Sequence, residues 1–460
     1  MNSMRVYLVI LLASLCSNNY ANINLPSFFS DNMVLQRNSE VTIWGWANPG
    51  EEITVSTGWT KEEFKTKGDN HAFWKITLNT PQAGGPYTIN IKGYNEITLK
   101  NVMLGEVWFC SGQSNMAWSA NAGIDNAAEE IAKANYPDIR FFSVPLLADS
   151  TPQMNIPGNW QPCTPETMKY FSAIGYFFAQ RLKEDLKNVP IGIINSSWGG
   201  TPAEIWIPEG IISNNKTLSD AASKLQPSEW GPVEPGYAYN AMIHPFAGLK
   251  ISGFLWYQGE SNVGSEVYDQ TLSALIKSWR EQWKENLPFY YVQIAPYNYG
   301  SEYPSGVIIR DAQRKVLKEV DNTALVVISD VSPTDDIHPR NKKPVGVRLA
   351  EIALQSHYKV LNKQVKSPFY KGITVQKNKL TVIFDNAEGL HFTTKKTTQF
   401  EIAGADKIFH PAEAKIKNNT VIVHSKKVES PIYVRYGWSN TAQPNLFNKA
   451  GLPASSFLSE

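Results

Sequence analysis

Three regimes of hydrophobic patterning follow one another along the chain. From residue 22 to about residue 100, short alternating runs such as Glu40-Val-Thr-Ile-Trp-Gly-Trp46, Glu52-Ile-Thr-Val-Ser56 and Tyr87-Thr-Ile-Asn-Ile91 are separated by the breakers Asn48-Pro-Gly50 and Gly84-Gly-Pro86. Period-two alternation between such breakers predicts a small antiparallel β unit. From Glu106 onward, apolar strand-like runs alternate with helical periodicity, the pattern of a parallel sheet covered by helices. Strands are predicted at 106–110, 190–195, 251–258, 288–294 and 323–330. Between them, Leu272, Leu275, Ile276, Trp279 and Trp283 share one helix face, as do Phe171, Ile174, Phe178 and Leu182, and both stripes read as core. An amphipathic helix over 345–358 closes this unit. From about residue 366 strand alternation returns in Lys379-Leu-Thr-Val-Ile-Phe384, Thr420-Val-Ile-Val-His424 and Ile432-Tyr-Val-Arg435. The expected units are therefore 22–100, 101–362 and 363–460, with the two β flanks forming either one domain or two.

Composition narrows the function classes. A chain of 460 residues exceeds what one core usually serves. Lys and Arg total 43 against 42 Asp and Glu, so there is no electrostatic footprint for nucleic acid or an anionic membrane. A neutral or small polar substrate fits better, and 14 Trp residues offer flat faces for sugar rings beyond what the core needs. Residues 1–21 read as a signal peptide, with Arg5 ahead of an apolar run too short to span a bilayer and a cleavage site after Ala21. Its removal takes Cys16 with it and leaves an exported, periplasmic or secreted chain without a membrane anchor. Cys110 and Cys163 remain. Two cysteines make no disulfide framework, have no metal-ligand spacing, and leave their pairing open; no metal or cofactor is expected.

The strongest chemical signal is Phe109-Cys-Ser-Gly-Gln-Ser-Asn-Met116, which follows an apolar strand. Ser114 would lie at the carboxyl edge of the sheet, where α/β proteins place their ligand sites, and reads either as a nucleophile or as a helix N-cap. A serine hydroxyl needs a base at neutral pH. Among seven histidines, His338 stands out, because Thr334-Asp-Asp-Ile-His-Pro-Arg340 follows the last predicted strand and carries two carboxylates, Asp335 and Asp336, that could orient the imidazole. His244 is the rival, although it precedes a strand. Asp335 is favoured slightly over Asp336, since a three-residue step turns the chain back on itself. Oxyanion donors could come from the backbone of Gly199 and Gly200 in Asn195-Ser-Ser-Trp-Gly-Gly-Thr201, and from the amides of Gln258 and Asn262 in Trp256-Tyr-Gln-Gly-Glu-Ser-Asn262.

Taken together, Ser111-Gly-Gln-Ser-Asn-Met116, Ser197-Trp-Gly-Gly-Thr-Pro202, Trp256-Tyr-Gln-Gly-Glu-Ser261 and Asp336-Ile-His-Pro339 resemble the motif blocks of the SGNH hydrolase superfamily, specifically its sialate O-acetylesterase-type carbohydrate esterases. Leu25-Pro-Ser-Phe-Phe-Ser-Asp-Asn-Met-Val-Leu-Gln36 and Gly451-Leu-Pro-Ala-Ser-Ser-Phe457 resemble that family's opening and ending. The resemblance implies a flavodoxin-like α/β/α hydrolase domain with a jelly-roll-like β-sandwich from the flanks, Ser114 as nucleophile, His338 as base and Gly199-Gly200 plus an amide as oxyanion donors. Two departures stand out. Gly259 is followed by Glu260 rather than by the superfamily's x-Asn-Asp pattern, and the subfamily's Asp-Ile-His-Pro points at Asp336 where the superfamily's spacing points at Asp335. The expected reaction is removal of O-acetyl groups from sugars, first of all acetylated sialic acids, through an acetyl-serine. The alternatives are an esterase of acetylated xylan or another polysaccharide, and an inactive carbohydrate-binding protein. Arg310 and Glu260 are candidate substrate contacts, with an ion pair between them as the plainer reading.

Overall fold

The computed structural model describes residues 22–394 and 399–459; the expected signal peptide and Cys16 lie outside the described residues. The N-terminal region has two layers. One is the antiparallel pair β2 (Ser39–Trp46) and β5 (Phe73–Thr80). The other joins β3 (Glu52–Thr57), β4 (Glu63–Lys67), β6 (Gly84–Lys92) and the first half of β7 (Glu96–Gly112), with β1 (Val34–Gln36) alongside β7. Strands of this region bury alternate residues, as in β5, where every second side chain is buried.

β7 does not stop at the expected boundary near residue 100. Its first half pairs antiparallel with β6, and its second half runs parallel between β10 (Ile191–Ser197) and β11 (Gly253–Tyr257). The central sheet has the order β13-β12-β11-β7-β10-β8-β9, with β8 (Tyr136–Ser143), β9 (Trp160–Cys163), β12 (Phe289–Val292) and β13 (Thr323–Val326). The strands from β13 to β8 are parallel, and β9 is antiparallel at the edge. Numbering the parallel strands β7, β8, β10, β11, β12 and β13 from one to six gives the doubly wound order 2-3-1-4-5-6, with a crevice expected beyond the carboxyl end of β7, where the order reverses.

Both faces of this sheet are covered, which is why β7 is buried without interruption from Leu104 to Gly112. Neighbouring residues of a strand point to opposite faces. Trp108 accordingly packs on Phe178 of the helix Ala173–Leu186, while Phe109 packs on Trp279 and Trp283 of the helix Tyr268–Trp283. The two helical stripes read from the sequence are thus core on opposite faces. The N-terminal layers are pinned to the sheet by a buried carboxylate: Glu106 accepts from Gln36 Nε2 at 2.8 Å and from Arg37 Nε at 2.6 Å.

The expectation of one β domain made from both flanks is corrected. The strands after residue 368 form sheets of their own, in which Phe369–Gln376, Lys379–Asp385, Glu413–Lys417 and Thr420–His424 make one layer and Phe400–Ala403, Tyr433–Tyr436 and Phe457–Leu458 lie in another. Their inward side chains, among them Leu380, Val382, Val421, Phe400, Ile402 and Phe457, enclose a separate core, while the N-terminal flank shares the core of the central unit. The two flanks shield different apolar surfaces, so the sequence alternation was legible but its partner was not.

Candidate active site

The turn after β7 is built for a close approach. Gly112 has φ +134°, and a Cβ there would come within 2.1 Å of the Tyr257 carbonyl oxygen on β11. Glycine is therefore required. Gln113 N–H donates to that same carbonyl at 3.0 Å, Trp198 N–H donates to Gly112 O at 2.9 Å, and Gln113 Oε1 accepts from Gly259 N–H and Ser261 N–H at 3.3 and 3.2 Å. The ends of β7, β10 and β11 are tied together around the short helix Ser114–Ala117, and Ser114 is left half-buried at its start.

His338, from the loop after β13, reaches Ser114: its Nε2 lies 2.8 Å from Ser114 Oγ. The Trp118 indole stacks on the imidazole, with centroids 4.2 Å apart and planes 16° from parallel, and so fixes the ring's plane. Asp336 accepts from the His338 backbone N–H at 2.8 Å, whereas Asp335 is exposed and makes no hydrogen bond or ion pair to His338. Of the two aspartates, then, Asp336 is the one held against the histidine, through its main chain. Burial, and then the Lys342 ammonium, lower the pKa of His338 from 6.5, with Asp336 opposing them. His244 is not brought to Ser114; its Nδ1 lies 2.9 Å from Gln153 O.

Beneath these two residues lies a polar hub that the sequence did not signal. Asn115 Nδ2 donates to Glu260 Oε1 at 2.7 Å and to Ile337 O at 2.9 Å, while its Oδ1 accepts from Lys342 Nζ at 2.5 Å. One buried amide thereby links the neighbour of Ser114 to the neighbour of His338. Burial pushes the Glu260 carboxyl up to about 7 and the Lys342 ammonium down to about 7. Lys342 also sits over the rings of Trp118 and Tyr257. A lysine beside the base would ordinarily be read as a solvated surface group, and only the fold reveals its burial.

The oxyanion candidates separate. A Cβ placed on Gly199 would lie 3.3 Å from Ser114 Cβ, and the N–H groups of Ser114 and Gly199 have no acceptor among the described residues. Gly200 instead packs on Trp230, which a Cβ would approach to 2.6 Å. Both side-chain amides are spent inside the protein. Gln258 Nε2 donates to Asn262 Oδ1 at 2.7 Å and to Thr201 O at 3.2 Å, and Asn262 Nδ2 donates to both oxygens of buried Glu204 at 3.1 and 2.9 Å. Gln258 has both amide protons engaged and Asn262 turns its amide towards Glu204; they brace the loop that carries Gly199. Replacing Gly199 with Ala should crowd Ser114 by a few tenths of an ångström and lower kcat by roughly tenfold or more, with KM and thermal midpoint little changed. Steady-state kinetics beside a melting curve would check this.

Arg310 is corrected as a substrate contact. It is fully buried, and its guanidinium donates to Ser439 O at 2.5 Å and Asn440 O at 3.2 Å, clamping a loop of the C-terminal sandwich onto the central unit. Glu260 does not pair with it but bonds Asn115, and its buried Oε2 has no partner. Cys110 and Cys163 are both buried and unpaired. Among the described residues no three His, Cys, Asp or Glu side chains gather as a metal site, and no helix is long and apolar enough to cross a membrane.

The sequence profile of a family described as carbohydrate esterase, sialic acid-specific acetylesterase, matches residues 104–355. Human sialate O-acetylesterase is 30% identical over 421 residues, spanning 82% of this chain and 79% of the human one. The mouse sialate O-acetylesterase is 29% identical over 445 residues, spanning 82% and 81%. Among solved structures, a carbohydrate acetylesterase from Xanthomonas citri superposes with a TM-score of 0.86 at 35% identity, covering 95% of this chain and 99% of that one.

Proposed function

Because the chain belongs to the sialic acid-specific acetylesterase family of carbohydrate esterases, a family of carboxylic ester hydrolases that deacetylate sugars, we propose that Ser114 is its nucleophile, His338 its general base, and an O-acetylated sialic acid its first substrate. The observation that carries the assignment is the 2.8 Å contact between His338 Nε2 and Ser114 Oγ, a hydrogen bond along which the hydroxyl proton can leave.

Ser114 Oγ attacks the acetyl carbonyl carbon as His338 Nε2 takes its proton. The carbonyl oxygen becomes an oxyanion that accepts from the N–H groups of Ser114 and Gly199. Collapse expels the sugar oxygen, which takes the proton from His338, and leaves acetyl-Ser114. Water activated by His338 then repeats the attack and releases acetate. Asp336 stabilises the imidazolium through space and holds the His338 main chain, and Trp118 keeps the ring from rotating.

Export by residues 1–21 is part of the same proposal, as is a division in which the N-terminal β layers are continuous with the hydrolase unit through β7 and the segment 363–460 is an accessory β unit. The substrate reading is tested by acetate release from acetylated sialic acids and from acetylated xylan, alongside aryl esters of rising chain length. Rates should fall steeply from acetyl to butyryl, and sialate esters should lead. Equal rates on butyryl and longer esters would point to a general esterase, and preference for xylan would replace sialate with a plant polysaccharide.

A further inference from the structure

A tryptophan packed at its base against Gly200 holds its ring in solvent. Trp230 is 70% exposed, yet its backbone is fixed: Trp198 Nε1 donates to Trp230 O at 2.7 Å, and Ser228 Oγ accepts from Trp230 N–H at 3.1 Å. Its Cβ is packed against Gly200, which has φ +75° and no room for a side chain, and a Cβ on Gly231 would come within 2.9 Å of the Trp198 indole. The segment that brings Gly199 to Ser114 is thus the same one that holds Trp230.

Gly200 also lines a cleft of about 920 Å³, walled by the helix Lys216–Ala222 and the loop after it on one side and by residues 261–267 on the other. Its volume is that of a site for more than one sugar ring. The titratable side chains lining it are Glu204, Asp220 and Glu266 against Lys224 alone, with no arginine, so it offers no bidentate partner for a carboxylate. Its polar lining includes Ser228, Ser261 and Ser265, suited to neutral hydroxyl groups.

We infer that Trp230 and the cleft at Gly200 form a subsite for a neutral stretch of oligosaccharide attached to the acetylated sugar, with the Trp230 ring as the stacking face for a pyranose. This rests on the esterase reading of Ser114. It adds that the enzyme acts on acetyl groups carried by a chain of sugars in preference to a free monosaccharide. The exposed CH face of a pyranose is the apolar surface such a ring covers, and the surrounding hydroxyls meet the serines and carboxylates of the cleft.

The test compares kcat/KM for O-acetylated sialyl-lactose, an acetylated sialic acid that carries two neutral sugars, with kcat/KM for an aryl acetate, which is too small to reach the cleft. Trp230→Ala should lower the ratio of the two by about tenfold through the oligosaccharide KM, and Trp230→Phe should recover part of the loss. Tyr94→Ala, an exposed aromatic of the N-terminal layers (60% exposed), should leave the ratio unchanged. Wild-type enzyme that cleaves both substrates and a Trp230→Ala variant with the wild-type ratio would overturn the subsite while leaving the esterase reading intact. A wild-type enzyme unable to cleave the aryl acetate would overturn the esterase reading itself.

Discussion

Ser114→Ala and His338→Ala each lower kcat by roughly 10⁴-fold or more, and the double variant is scarcely worse than either one, because nucleophile and base act in a single proton-coupled attack. Neither change should cost the fold much, since Ser114 and His338 are only half-buried. The pH profile carries a second signature. Only the neutral imidazole accepts a proton, so kcat/KM falls as pH drops through the pKa of His338. That pKa lies below the ordinary 6.5, because burial and then the Lys342 ammonium disfavour the imidazolium more than Asp336 favours it. The acid limb should therefore have its midpoint below pH 6.5. Asp336→Asn removes the opposing charge and should move the limb lower still while reducing turnover, whereas Asp335→Asn should stay within about tenfold of wild type, or some 1.4 kcal/mol. Rate profiles between pH 4 and 8, at fixed ionic strength, measure both.

Asn115→Ala is expected to be the most damaging single change outside the reacting pair. It strips Glu260 Oε1, Lys342 Nζ and Ile337 O of their shared partner at once, and Glu260 already has one unpartnered buried oxygen. Leaving a buried hydrogen-bonding group without its partner costs about 1–3 kcal/mol, and more when the group is charged. Denaturant unfolding should register that loss, and kcat should fall by on the order of a hundredfold, since Ser114 and His338 lose the amide that sets their spacing. Asn115→Asp keeps the shape and the acceptor for Lys342 but places a second carboxyl against Glu260. Like charges at such a distance cannot both ionise in a buried site, so this variant should recover activity as pH is lowered towards the point where one carboxyl holds a proton. Loss of stability without any pH-dependent recovery in Asn115→Asp would mean that the hub supports the fold alone.

How far the sequence led can be judged residue by residue. Strand runs bounded by breakers placed β7, β10, β11, β12 and β13, because strands buried on both faces read as unbroken apolar stretches. β8 and β9 were not legible: Tyr136-Pro-Asp-Ile-Arg-Phe-Phe-Ser143 carries a proline and an arginine, and nothing local reveals that Arg140 is buried, with Asn32 and Asn101 as partners. Motif spacing put Ser114 and His338, 224 positions apart, on one edge of one sheet. It could not tell where a side chain points. Gln258 and Asn262 have the right chemistry for an oxyanion hole, but their amides turn inward to each other and to Glu204. Arg310 reads in the sequence as a candidate substrate contact or, more plainly, as an ion-pair partner of Glu260, yet its charge is spent on carbonyls contributed by a loop some 130 residues later. Asp336 rather than Asp335 faces the histidine because an aspartate two residues before a backbone N–H can accept from it in a tight turn.

Ser114, activated by His338, should be acylated during turnover. An aryl acetylphosphonate or alkyl fluorophosphonate forms a stable adduct with such a serine, and peptide mass spectrometry locates it. One adduct per chain is expected, on Ser114, formed in step with loss of esterase activity and nearly abolished in His338→Ala. Full labelling of Ser114 with activity retained, or inactivation with the adduct on another residue, would contradict it.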